Sequence, residues 1–197
     1  MKKCIYFALI LTLSIYSCTM KNETPKEENR WEDILNERLP YLGHRNWIVI
    51  ADMAYPLQAS DGITTIWADE PYPDVLKKVK DMIDEAPHIF AHIYRDKELS
   101  FIPEQDAPGI TLLRQQMQQV CGDEVQCLPH EELIARLDEA GRLFNIILIK
   151  TPALIPYTTT FFELDCKYWD AGRATRLDER MRQEQAPDSI SRERTEQ

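Results

Sequence analysis

Glycine is scarce in this chain, at six of 197 residues. None falls in a G-x-G-x-x-G or G-x-x-x-x-G-K order, so the loops that cradle nucleotide phosphates are missing. No G-x-S-x-G elbow occurs, which removes the commonest acyl-transfer arrangement. Cysteine is also sparse. The five cysteines form no C-x-x-C pair and no Cys/His ladder, so no metal site is expected. Long basic runs are absent, and 23 Lys and Arg against 33 Asp and Glu leave a formal net charge of −10. That balance argues against nucleic acid or an anionic membrane surface as the main partner.

What is present is enough apolar residue, 44%, to bury one ordinary domain. The N-terminus reads as a leader. Lys2 and Lys3 precede an apolar run, Ile5 to Tyr16, that is too short to span a bilayer stably. Ile15-Tyr16-Ser17-Cys18 then resembles a bacterial lipobox. The resemblance implies cleavage before Cys18, lipidation of Cys18 and a membrane-anchored lipoprotein of the cell envelope; several acyl chains would anchor it firmly. An ordinary secretory leader with an incidental cysteine is the other reading. Residues 1–17 are thus the expected leader and 18–30 a polar tether. Residues 31–169 form the domain, and 170–197 a charged tail, helical at first and disordered after Pro187. Outside the cytosol a disulfide is permitted, and Gly122-Asp123-Glu124 could turn Cys121 back toward Cys127.

Within the domain, Trp47 to Asp52 is a strand apolar on both faces, the pattern of a buried parallel strand. Phe144 to Ile149 is a second. Ile63–Ala68, His88–Tyr94, Val125–Leu128 and Tyr157–Leu164 also read as strands, with a short edge element at Phe101 and Ile102. Helical spacing marks Trp31–Leu39, a stripe from Val75 to Ala86, another from Ile110 to Val120, and His130–Ala140 closed by Gly141. Alternation of strands and helices predicts an α/β domain: three αβα layers around a largely parallel sheet.

Polar groups at the ends of buried strands are where open α/β sheets place ligands. His44 lies before the first strand and Asp52 after it. Histidine titrates near neutrality and can exchange protons there, although a capping or packing role suits it equally. Asp52 serves a cleft or caps a turn. His130 opens a helix, and Asn145 inside an apolar strand needs a hydrogen-bond partner. His88 and His92 share a strand face and read as structural. Tyr157, Glu163 and Asp165 sit on the last strand; Asp52 with either acid would suit a hydrolase only at glycosidase separations.

Leu42-Gly43-His44, the apolar strand, Asp52 and Pro56 together resemble the opening of the RbsD/FucU family, the D-ribose pyranases and L-fucose mutarotases. Phe144-Asn145-Ile146-Ile147-Leu148 resembles its closing strand, and Pro129-His130-Glu131-Glu132 the helix start of its ribose branch. The resemblance implies an RbsD-like fold and cofactor-free interconversion of sugar ring forms. It also implies a monosaccharide partner and a homo-oligomeric ring with sites near subunit contacts. By position, His44 would be the acid/base, Asp52 its companion, and His130 and Asn145 sugar ligands. The chain departs from the pattern at Asn46, Leu143 and Ile134, where the family carries an acid, a tyrosine and a basic residue; Tyr157 is the candidate replacement hydroxyl. A non-catalytic sugar-binding or scaffold lipoprotein is the alternative.

Overall fold

The computed structural model describes residues 30–185. The expected leader, Cys18, most of the expected tether and the end of the tail lie outside the described residues. The elements run α1 (Arg30–Arg38), β1 (Trp47–Ala51), β2 (Ile63–Trp67), α2 (Tyr72–Glu85), β3 (Ile89–Asp96) and α3 (Ile110–Cys121). They continue with β4 (Gln126–Leu128), α4 (His130–Ala140), β5 (Ile146–Lys150), β6 (Thr160–Cys166) and α5 (Ala171–Gln185). No described helix is long and apolar enough to cross a membrane.

The six strands form one sheet in the order β2-β5-β1-β6-β3-β4. Five are parallel, and β6 runs against them between β1 and β3. The direction of β6 follows from its connection. Residues 151–159 contain no helix to carry the chain back to the starting edge, so the strand after them returns the opposite way. This gives the largely parallel α/β sheet that the alternating pattern predicts.

Pleating sends the side chains of β1 into two cores. Ile48 and Ile50 join Ile147, Ile149, Phe162 and Leu164 beneath α1, α2 and α3. Trp47, Val49 and Ala51 join Ile146, Leu148 and Phe161 beneath Leu133 and Leu137 of α4. The arrangement is therefore three layers, with three helices on one face and α4 on the other. The α2 stripe of Val75, Leu76, Val79 and Ile83 is buried, as the 3.6-residue spacing requires. A carboxylate caps α3 from outside the helix. Glu104 accepts the N–H groups of Gly109 and Thr111, at 2.5 and 2.9 Å. With the Thr111 hydroxyl, these donors hold its pKa down at about 2. The exposed α5 adds little to either core.

Three local expectations change. The edge element at Phe101 and Ile102 is instead a 3-10 turn, Lys97–Phe101, which buries Leu99 and leaves Phe101 outside. Its place beside β3 is taken by β4, which pairs with Tyr94, Arg95 and Asp96. The last strand begins at Thr160 rather than Tyr157, because Tyr157 has φ of 57°, outside the extended region. Cys121, Cys127 and Cys166 are all free thiols; Cys121 is buried at the end of α3 while Cys127 is exposed on β4.

The link from β1 to β2 contains no helix, so it runs down the face of the sheet beside α4. Its Ser60 hydroxyl donates to the carbonyl of Gly141 at 2.9 Å. Gly62 then passes so close to the end of α4 that an added Cβ would lie 2.4 Å from the Gly141 oxygen and 3.0 Å from that of Phe144. Both neighbours are backbone and cannot swing away. Gly62→Ala should cost roughly 1–3 kcal/mol, as overpacking does. Gly43→Ala, with nothing within 4 Å, should be near neutral. Urea midpoints at unchanged slope would measure the difference.

Candidate functional site

A cavity of about 630 Å³ lies beyond the carboxyl ends of the parallel strands. Four of the five strands that end at this edge contribute. β1 delivers Asp52 and the turn to Pro56, β3 ends on Asp96, β4 leads into His130, and β5 leads into residues 153–157. This is the edge where open parallel sheets hold ligands. The link to β6 crosses over the end of β1 and forms the outer wall with Leu154, Ile155 and Tyr157.

Asp52 turns the chain out of β1. Its Oδ1 accepts the N–H groups of Ala54 (2.8 Å) and Tyr55 (3.1 Å), an Asx turn that leaves Oδ2 without a donor among the described residues. Lys150 at the end of β5 ties this turn down by donating to the Tyr55 carbonyl at 2.6 Å. The Tyr55 hydroxyl is buried without a hydrogen-bond partner among the described residues, and burial, reinforced by Asp138, Asp96 and Asp52, pushes its pKa up.

The central feature of the cavity wall is a pair that joins β3 to α4. Nδ1 of His130 lies 3.1 Å from Oδ1 of Asp96, a carboxylate with no solvent exposure. The atoms are at ion-pair distance, but their alignment misses that of a hydrogen bond, and neither Asp96 oxygen has another partner among the described residues. Burial pushes the Asp96 carboxyl up to about 6, against the opposing pull of His130 and with Glu98 and Asp52 adding to the rise. Glu98 fixes the backbone of the same histidine: both its oxygens accept the His130 N–H at 3.1 Å. The edge of the His130 ring meets Tyr157, centroids 5.4 Å apart at 90°. The left-handed φ of Tyr157, a strained state for a non-glycine residue, holds the phenol ring at the cavity.

His44 and Asn145 lie at the other edge of the sheet. Five residues of β1 separate His44's end of the strand from Asp52, roughly 17 Å at about 3.3 Å per residue. At its own edge His44 is fully engaged. Its Nδ1 lies 2.6 Å from Oδ1 of Asp165, and its Nε2 accepts from Nε of Arg45 at 3.2 Å. His92 approaches the other Asp165 oxygen at 3.3 Å. Burial raises the Asp165 pKa, but the Cys166 N–H and the two histidines outweigh it and hold the carboxyl low. His88 donates to the carbonyls of Leu39 and Leu42. Asn145 is exposed and precedes β5 instead of standing inside it; its carbonyl accepts from Asn46 at 3.0 Å.

Within one chain, then, Asp52, His130 and Tyr157 share the cavity, whereas His44 and Asn145 do not reach it. The pairing of Asp52 with Glu163 or Asp165 is also not formed. Glu163 stands level with Trp47 at the far end of β1, well beyond the roughly 9.5 Å limit for glycosidase carboxylates. Asp96 and Glu98 were not among the sequence candidates. Asp96 carries the same signal as Asp52, an acid closing an apolar strand, but the strand expected from the sequence stops at Tyr94, two positions short of it.

No protein-family model matches this chain, and no curated protein matches it. Among solved structures, it is similar to Bacillus subtilis RbsD complexed with D-ribose. Identity is 18%, over 67% of this chain and 91% of that one, with a TM-score of 0.48. It is also similar to the fucose mutarotase in complex with L-fucose from Streptococcus pneumoniae. There identity is 19%, over 67% and 91% of the two chains, with a TM-score of 0.46.

The raised Asp96 carboxyl has a consequence for stability. Between about pH 4 and 6 the folded chain keeps a proton that the unfolded chain has released, so stability falls as pH rises through that window. Asp96→Asn should flatten this part of the pH profile. It should also stabilise the fold at pH 7 by up to about 3 kcal/mol, two pKa units' worth. Urea unfolding of both proteins at pH 4, 5, 6 and 7 measures it.

Proposed function

We propose that this chain binds a neutral monosaccharide in the cavity beyond the strand ends and opens and recloses its hemiacetal ring without a cofactor. The observation that carries the reading is the Asp96–His130 pair in the cavity wall. Ring opening transfers two protons. The anomeric hydroxyl gives one to a base, the bond from the anomeric carbon to the ring oxygen breaks, and the ring oxygen takes one from an acid. Reclosure on the other face, or by another hydroxyl, reverses both transfers. His130 is the group placed to meet the sugar. Asp96, wholly buried behind it, exchanges the proton on Nδ1, and a carboxyl titrating at about 6 holds both forms near neutrality.

The rest of the cavity suits a neutral polyol. Asp52, Gln58, Glu131 and Thr159 offer hydrogen-bond partners to hydroxyls, and Tyr157 and Pro156 an apolar surface. Lysine and arginine are missing from the lining, so nothing there offsets the carboxylates' repulsion of an anionic sugar. His44 and Asn145 would take part only from a second copy that brings its opposite sheet edge to the cavity mouth; a homo-oligomer is part of the proposal. So is tethering in the cell envelope through lipid on Cys18, with the sugar met outside the cytosol.

Ile134 favours a second reading. It lines the cavity at the position where the resemblance implies a basic residue, which suits binding without turnover. Saturation-transfer NMR on ribose, fucose and galactose separates the two. Catalysis predicts faster anomeric exchange, reduced on the order of 10²-fold or more by His130→Ala, with Asp96→Asn shifting the pH profile of the rate. His44→Ala should slow exchange only if a second copy completes the site. Calorimetric binding with unaltered exchange favours the binding protein, and no binding of any of these sugars overturns both readings. Cys18→Ser should move the chain from the membrane fraction to the soluble fraction.

A further inference from the structure

Asp96 faces the candidate site, and its neighbour Arg95 points to the opposite face of the sheet. Arg95 is 7% exposed, deep in the strand between Thr160 of β6 and Cys127 of β4. Its Nε has no hydrogen-bond partner, and among the described residues no carboxylate stands within ion-pair distance of it. An always-charged guanidinium in such a place is costly unless something neutralises it. In a chain with ten more acids than bases, a buried arginine without an acid is conspicuous.

Arg95 borders a separate cavity of about 210 Å³ beside Leu99 and Ser100 of the 3-10 turn and Gln118 of α3. Arg114 of α3 borders it too. Its Nη1 donates to the carbonyls of Leu99 (3.0 Å), Ser100 (3.4 Å) and Ile102 (3.1 Å). Those bonds fix the guanidinium in place without neutralising it. Ser100 adds a hydroxyl to the lining. The one acid in the wall, Asp123, is engaged by the Gln118 amide at 2.6 Å and pairs with neither arginine.

We propose that this cavity is a binding site for a small tetrahedral oxyanion, inorganic phosphate or a phosphate monoester, clamped between Arg95 and Arg114. Two guanidinium groups bordering one small cavity offer the forked donors that such oxygens accept. The two cavities thus select opposite chemistries. The one at the strand ends is lined by carboxylates and no cation, and the one beneath α3 by two cations and a single engaged acid.

The test titrates the full chain with inorganic phosphate and, separately, glycerol 1-phosphate at constant ionic strength balanced with chloride. Calorimetry and the thermal midpoint are followed. Saturable one-to-one binding with a rising midpoint is expected for at least one of the two, and the preferred probe distinguishes free from esterified phosphate. Arg95→Met and Arg114→Met should each weaken binding tenfold or more, and Asp123→Asn should tighten it. Arg95→Met should be no less stable than the parent in phosphate-free buffer, since it removes an unneutralised buried charge. Should that variant not fold, Arg95→Lys and Arg114→Met carry the comparison. No stabilisation by either anion beyond that of chloride, or equal binding by the arginine variants, overturns the proposal.

Discussion

Everything in this domain is arranged around a strand that has no face left for water. All five residues of β1 are buried, and pleating divides them between two cores. At about 1.5–3 kcal/mol for each large side chain removed from water, both faces must be covered. Three helices cover one and α4 the other. β5 and β6 occupy both edges of the strand and complete its hydrogen bonding. Polar groups can then stand only at its two ends, which is why the two ends carry His44 and Asp52.

The two ends do different things because one is open and the other is engaged. At the amino end, Arg45 and Asp165 occupy both ring nitrogens of His44. At the carboxyl end, the segments that follow four of the strands border a space where Asp96 and His130 meet without full hydrogen bonding. Incompletely satisfied buried groups are rare and costly, so they are the places where a ligand has something to gain. The same reasoning separates Asp96 from Arg95. Pleating sends consecutive charges of one strand into different layers, and each meets its own cavity.

The helices α2, α3 and α4 and the strands β1, β2, β4 and β5 were legible because each carries one clear period. Val75, Leu76, Val79 and Ile83 repeat as one face of a helix does; Trp47 to Ala51 is apolar throughout, as a strand covered on both faces must be. Less legible were segments whose residues answer to distant neighbours. Phe101 and Ile102 have strand composition, but β4 already holds that edge. Tyr157 reads as the start of a strand by composition, yet its backbone turns to close the cavity beside His130. Asn145 looked buried because the residues after it are, although it sits one position short of the strand.

The α/β class, the fully buried first strand and the presence of chemically capable residues near strand ends could all be read from the order of residues alone. That is so because hydrophobic period and strand-end position are local properties of the chain. Which of those residues face one another was decided only by the tertiary structure. His44 and Asp52 are eight positions apart in sequence and stand at opposite edges of the sheet. Asp96 and His130 are thirty-four positions apart, and the parallel pairing of β3 with β4 brings them to 3.1 Å. Strand direction and order set which ends share an edge, and neither is written in any one segment.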